Sequence, residues 1–448
     1  MGADQAKFEY VLSALQMIRL AVSAFYDSPG ATEAVNKYLR TFNGAPDAPY
    51  KVSGLFNGFV EERIGPLLKQ QYPHSFQNVH VDSGGLQVIT LGKQITPELK
   101  TQIYTTQANY GTVAMCFDEI PLHVTSRSEN NKNNRTSIDN KLFVVSEMLD
   151  SAKATGRNVN EQLQKFNELG SACEVMLIAQ GNNRQDFADW VHAAYDEVDP
   201  SLQHQIHGIA LADTCIGNGT LESVEMCAAY NLIDIDHIKK NIHFLGVGSL
   251  RRLVPVIELC RSGWFPSDTN ISFDSTTHTS MLIMGRYTDE KCRIQQIGKR
   301  LTPNNLKFFS QVYDLIAANF DTSISKEDYV KHITDNLQDA QTMRKTPEFS
   351  SVAELTYFFY CIQCVHNFMS AINACMSSPE AYYTYLTDVS RKKMKPMLQL
   401  ANVKTLVDMD EWFRLYSRYV DSKRISRADS LLSHQNITLD NFLITEAV

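Results

Sequence analysis

The rhythm of hydrophobic and polar positions changes twice along the chain. Over residues 6–27, Phe8, Val11, Leu12, Leu15, Ile18 and Val22 recur at steps of three and four. That spacing predicts a helix, ended by Asp27-Ser28-Pro29-Gly30. A second helix is expected over 31–42 and a Gly-, Pro- and Asp-rich loop over 43–56. A third helix is expected over 57–72, with Pro66 as a kink or restart. From about residue 78, short apolar runs alternate with longer amphipathic stretches. Runs 78–81, 111–117, 174–179, 206–211, 242–247 and 271–273 read as strands. Stretches 95–107, 136–154, 159–169, 184–196, 220–230 and 249–261 read as helices. Beyond about 303 the pattern is helical. Ser351 and Glu354 form a capping-box pair opening an apolar helix over 351–376. Ser377-Ser378-Pro379 stops it, and a Tyr-rich helix starts near 380.

Strands alternating with helices predict a parallel sheet with helices outside. No GxGxxG turn follows any strand, which argues against a dinucleotide-binding sheet. The expectation is therefore an α/β fold, a TIM (β/α)8 barrel with additional N- and C-terminal helical segments. The first and last strands are not assigned by pattern; Lys291–Ile297 is one candidate. The predicted organisation is a helical segment at 1–72, a barrel core at 73–302 and a helical region at 303–448.

Composition narrows the classes. The chain has 448 residues, 44% hydrophobic and 21% charged, which suits a large globular core. A net charge of −8 excludes a polyanion-binding surface overall, so any nucleic-acid site must be a local basic patch. Nine cysteines scattered through apolar contexts, behind a start without signal-peptide character, read as reduced thiols of a cytoplasmic protein. The apolar stretch 351–376 contains Gln363, His366, Asn367 and Asn373, and so reads as a buried helix and not a membrane span.

The chemistry gathers where the strands end. Run 78–81 delivers Asp82-Ser83-Gly84-Gly85-Leu86-Gln87, run 111–117 delivers Asp118-Glu119, and run 174–179 delivers Gln180-Gly181. Run 206–211 carries Gly208, Ile209 and Ala210, run 242–247 carries Leu245 and Gly246, and Ile271–Phe273 stops at Asp274. In a parallel barrel these ends converge on one face, where carboxylates are costly to desolvate unless a ligand or a reaction uses them.

The motifs DSGGLQV (82–88), CFDE (116–119), LIAQG (177–181), GIAL (208–211), FLGVG (244–248) and SFD (272–274) occur in an order similar to that of tRNA-guanine transglycosylases. The resemblance spans about residues 78–280 and implies exchange of guanine for a 7-deazaguanine base. It implies Asp274 as a nucleophile toward C1′ and Asp82 as the general acid/base. It gives Asp118 the base's N–H donors, and Gln180 with Gly208, Ile209 and Ala210 the carbonyl side. Ser83 and Gln87 would be further contacts, and Leu86 and Leu245 would sandwich the base, with Gly246 alongside.

The chain also departs from that family. Leu86 stands where the family usually has an aromatic residue, and Ser275–Ser280, with His278, replaces a Pro-Thr-Arg run that contacts RNA. Those departures make the chain most like the phage 7-deazaguanine DNA transglycosylases, which protect phage DNA against restriction. This implies DNA and a 7-deazaguanine base such as 7-cyano-7-deazaguanine as partners, in a host cytoplasm, for a monomer or homodimer. A tRNA-modifying enzyme and a non-catalytic barrel subunit are the alternatives. The family's zinc motif is incomplete: Cys361 and Cys364 are present, Phe359 stands at the first cysteine position, and no histidine lies between His366 and His434. No cofactor is therefore expected. Candidate polymer contacts are Arg127, Lys132 and Arg135 in the loop after Asp118, then His278 and Arg286. Arg391, Lys392, Lys393 and Lys395 open a stretch, 391–428, with ten basic and four acidic residues.

Overall fold

The computed structural model describes residues 7–20, 29–91, 94–130, 135–212, 220–297, 302–336 and 349–416. Its centre is a closed, all-parallel barrel of eight strands. The barrel takes β1 (Lys7–Leu12), β2 (Lys51–Asn57), β3 (Val79–Asp82) and β4 (Val113–Met115). A hairpin of β5 (Leu122–Asn130) and β6 (Arg135–Phe143) interrupts the series. The barrel then resumes with β7 (Glu174–Gln180), β8 (Ile206–Ala212), β9 (Asn241–Phe244) and β10 (Asn270–Ser275), and β10 closes on β1. Helices connect the strands on the outside, so the fold is a TIM (β/α)8 barrel with added helical segments, as the pattern predicts.

The two strands that pattern did not assign are β1 and β2, and the expected N-terminal helical segment is corrected accordingly. Lys7–Leu12 alternates Phe8, Tyr10 and Leu12 outward with Glu9 inward, a period of two that the same residues disguise as a helical stripe. Pairing with β10 and β2 on both sides settles the choice in favour of the strand. The expected loop over 43–56 ends in β2, and the helix expected from residue 57 runs from Ile64 to Gln71. Pro66 sits in its first turn, where its missing N–H has no partner to lose. The helix expected over 136–154 is divided between β6 and a single helix, Met148–Glu168. The 291–297 candidate is not a barrel strand. Ile294–Gln296 (β12) pairs only with Arg286–Thr288 (β11), in a separate hairpin after the barrel.

The C-terminal region packs on the barrel's flank. Helix Ser350–Ser377 contacts helices Leu250–Ser262, Pro303–Asn319 and Pro29–Gly44, and buries most of its length. It starts at Ser350 without a side-chain cap, so the predicted Ser351 capping box does not form. Glu258 ties the two parts together: its carboxylate accepts from Tyr382 Oη (2.8 Å) and Arg261 (3.0 Å). Helix Leu406–Leu415 reaches back to the β7 end, where Arg184 pairs with Asp410 at 2.6 Å and lies over the Phe413 ring. Among the described residues no helix is long and apolar enough to cross a membrane.

Candidate active site

A cavity of about 340 Å³ opens at the C-terminal ends of the strands. Because side chains alternate along a strand, every second residue of each strand points inward. Asn57, Asp82, Gln180, Ala212 and Asp274 form the upper ring of such residues and line the cavity. Asp118, just beyond β4, joins them, with Glu61 from the turn after β2. Leu55, Leu86, Ile120, Ile178 and Leu245 supply the apolar wall. An apolar wall with a few convergent polar groups is the composition of a small-ligand site.

The carboxylates differ in what holds them. Asp82 Oδ2 accepts from Asn57 Nδ2 at 2.9 Å. Asn57 is itself fixed, because its Oδ1 accepts the N–H groups of Phe59 and Val60, each at 3.0 Å. Burial pushes the Asp82 carboxyl up to about 6; the charges of Asp274 and Glu61 add to this, and the N–H groups of Gly84 and Ser83 oppose it. Asp118 is 4% exposed and accepts from Gln180 Nε2 at 2.8 Å. Burial lifts it to about 7 despite that hydrogen bond, and the charge of Asp82 adds to the rise. Gly85 lets the chain pass here, since a Cβ would lie 3.0 Å from Asp118 Oδ1.

Asp274 goes the other way. Burial would raise it too, but His243, the Gly246 N–H and the charge of His80 together hold it below the ordinary carboxylate value. Gly246 N donates to Oδ1 at 2.8 Å, and His243 Nε2 stands 3.3 Å from the same oxygen. Gly246 has φ of 68°, a left-handed conformation that aims its N–H at the carboxylate, and its carbonyl accepts from Arg252 at 2.7 Å. Two carboxyls able to hold a proton near neutral pH thus share a cavity with one kept ionised. That division is how acid/base and nucleophilic roles separate in one site.

The structure brings together Asp82, Asp118, Gln180, Asp274, Leu86, Gln87, Leu245 and Gly246. It does not bring in the rest of the expected base contacts. Gly208, Ile209 and Ala210 lie lower in β8, with Gly208 pressed so close to Asn241 that a Cβ would meet its carbonyl at 2.2 Å. Ala212, in register with Gln180, is the β8 residue at the cavity. Ser83 is 1% exposed and accepts the Gly85 N–H at 3.3 Å, outside the lining. Asn57, Glu61 and His243 were not anticipated. Asn57 was hidden by the missed β2, and His243 looked like any polar residue within an apolar run.

The expected polymer contacts fare unevenly. His278 is corrected: it is 2% exposed, its Nδ1 meets Tyr10 Oη at 2.5 Å, and its ring packs on Phe368. Burial pushes it down to about 3, so it is neutral and turned away from any polymer. Arg286 is half-buried in β11. Arg391 is engaged with Asp388, with the carbonyls of Tyr383 and Leu386, and with the Tyr383 ring. Lys392 and Lys395 are exposed on helix Asp388–Leu398. Lys132 lies outside the described residues, as do the side chains of Arg127, Arg135 and Lys393. Two exposed arginines that pattern did not single out follow β2 and β9: Arg63, in the turn before helix Ile64–Gln71, and Arg251, in the first turn of helix Leu250–Ser262.

The zinc that the resemblance implies does not fit the residues present. Both ring nitrogens of His366 are engaged, by Tyr38 Oη at 2.9 Å and Tyr50 Oη at 2.6 Å. Cys364 Sγ accepts the Thr288 N–H at 3.4 Å, and burial pushes its thiol up to about 12. Among the described residues no three His, Cys, Asp or Glu side chains gather as a metal would require.

Fold and site together define a TIM-barrel protein with a buried carboxylate site at the C-terminal ends of its strands. The sequence matches no protein-family model and no curated protein.

Proposed function

We propose that this protein is a guanine transglycosylase that replaces guanine in DNA with a 7-deazaguanine base. The observation that carries the reading is the ionised Asp274 facing Asp82 and Asp118, two carboxyls raised toward neutrality, across one base-sized cavity.

In this reading a carboxylate oxygen of Asp274 attacks C1′ of the target nucleotide as the C1′–N9 bond breaks. The bonding electrons leave with guanine, and a proton from Asp82 neutralises it. The incoming 7-deazaguanine then loses its N9 proton to Asp82 while N9 attacks C1′ and the aspartyl–sugar bond breaks, restoring Asp274. Asp118 accepts the base's N–H donors, and Gln180, fixed by its bond to Asp118, is placed for the carbonyl edge. Leu86 and Leu245 hold the ring faces by apolar contact.

DNA is preferred to tRNA because Ser275–Ser280 offers no exposed basic side chain where the tRNA enzymes contact RNA, its His278 being buried. Phosphate contacts are assigned instead to Arg63 and Arg251, after β2 and β9, together with Lys392 and Lys395. A guanine in duplex DNA must be flipped out to enter the cavity. The test is to quench the protein with a guanine-containing DNA oligonucleotide and look by mass spectrometry for a DNA adduct on Asp274. An adduct on another residue, or none while exchange proceeds, refutes the assigned chemistry.

A further inference from the structure

Beneath the cavity floor the barrel interior is polar where branched apolar residues usually fill it. Glu9 of β1, Ser53 of β2, His80 of β3, His243 of β9 and Ser272 of β10 meet there, and His80 and His243 are 2% and 0% exposed. Glu9 accepts from His80 Nε2 at 3.1 Å, from Asn78, and from the Ser53 hydroxyl. The His80 ring stacks on His243, with centroids 5.8 Å apart and planes 29° apart. His243 touches Ser272 Oγ through Nδ1 at 2.9 Å and Asp274 Oδ1 through Nε2 at 3.3 Å. Buried polar groups of this kind are costly unless they are paired or used. A packing role would be met by an aliphatic side chain at either histidine.

We propose that His243 is a positioning residue for the nucleophile: its Nε2–H, with the Gly246 N–H, occupies Oδ1 of Asp274 and leaves Oδ2 as the attacking oxygen. The inference rests on the base-exchange reading for its consequence, but the contact itself does not. Ser272 Oγ holds the other ring nitrogen, Nδ1, at 2.9 Å, and so fixes the ring with Nε2 turned toward Asp274. Glu9 and His80 stand behind this pair. The groups facing Asp274 are then His243 from β9, His80 and Asp82 from β3, and Glu9 one residue layer below on β1.

The test compares His243→Phe, which keeps a ring but removes the donor, with His243→Gln, whose amide N–H can take the place of Nε2–H. In the full chain, the Phe variant is expected to lose about a hundredfold in kcat, the scale for one donor to a reacting oxyanion. The acid limb of its pH profile moves to higher pH, because Asp274 ionises less readily, and the Gln variant recovers most of both. Equal losses in the two variants, or an unmoved acid limb in the Phe variant, overturn the proposal. If the wild type exchanges no base at all, the functional reading fails instead. His243 is then judged by the carboxyl titration of Asp274, followed by carbon-13 NMR in the same variants. A value raised by Phe and restored by Gln upholds the positioning role, and one that does not move overturns it.

Discussion

Replacing Asp118 by asparagine separates the cost of this site from its use. Asp118 is 4% exposed, and its carboxyl is lifted from 3.8 to about 7 by burial and by Asp82. Above pH 7 the folded protein therefore holds a charge that the unfolded chain accommodates more easily by about three pH units. At about 1.4 kcal/mol per unit, that is at most about 4 kcal/mol. The introduced amide keeps an oxygen for the Gln180 N–H but brings an N–H₂ needing an acceptor, which gives back about 1 kcal/mol. Asp118→Asn should thus stabilise the protein at pH 8 by about 2–3 kcal/mol. The sign follows from the raised folded-state value: the favourable contribution of this carboxyl is complete below 3.8 and is lost as pH rises through 7. The advantage of the variant should disappear at pH 4. Urea unfolding of both proteins at the two pH values measures it. A variant less stable than wild type at pH 8, or a difference independent of pH, would refute the account of Asp118 as a carboxylate held at the expense of stability. A gain in stability with loss of base exchange is the expected mark of a functional group.

Three further outcomes follow. Asp274→Asn removes the oxygen anion that the proposed exchange requires and should abolish the trapped DNA adduct while leaving base binding, measured by calorimetry, within a few-fold of wild type. Affinity for free 7-deazaguanine should rise with pH and level off above about 7, as Asp118 becomes the carboxylate that accepts N–H donors; binding independent of pH would place the donor edge elsewhere. Gly246→Ala forces a side chain into φ of 68° and should cost about 1–2 kcal/mol in thermal or urea unfolding. It should also impair exchange more than binding, because the N–H on Asp274 Oδ1 shifts with the backbone.

Much of the barrel was legible because six of its strands are short apolar runs between amphipathic helices, and each ends at a chemically distinct residue. Asp82, Asp118, Gln180 and Asp274 could be singled out for the same reason. β1 was not legible: Phe8, Val11 and Leu12 satisfy a helical stripe locally, and only pairing with β10 and β2, more than 30 residues away along the chain, decides otherwise. Asn57 was lost with β2. Gly208 drew attention as a glycine, yet its small size serves packing against Asn241, and the cavity takes Ala212 four residues on. His278 read as a candidate polymer contact because nothing local reveals that Tyr10 and Phe368 pack on it. His80 and His243 face inward by strand alternation, which was readable, but their stacking depends on the closure of the barrel.

The most direct measurement is nucleoside analysis. Duplex DNA and tRNA are incubated separately with the protein and a labelled 7-deazaguanine, then digested and separated by chromatography with mass detection. The expected products are a labelled 7-deazaguanine deoxynucleoside from DNA and guanine released in equal amount, with neither formed by Asp274→Asn. Label entering tRNA alone would contradict the choice of polymer, and label entering neither would contradict base exchange itself.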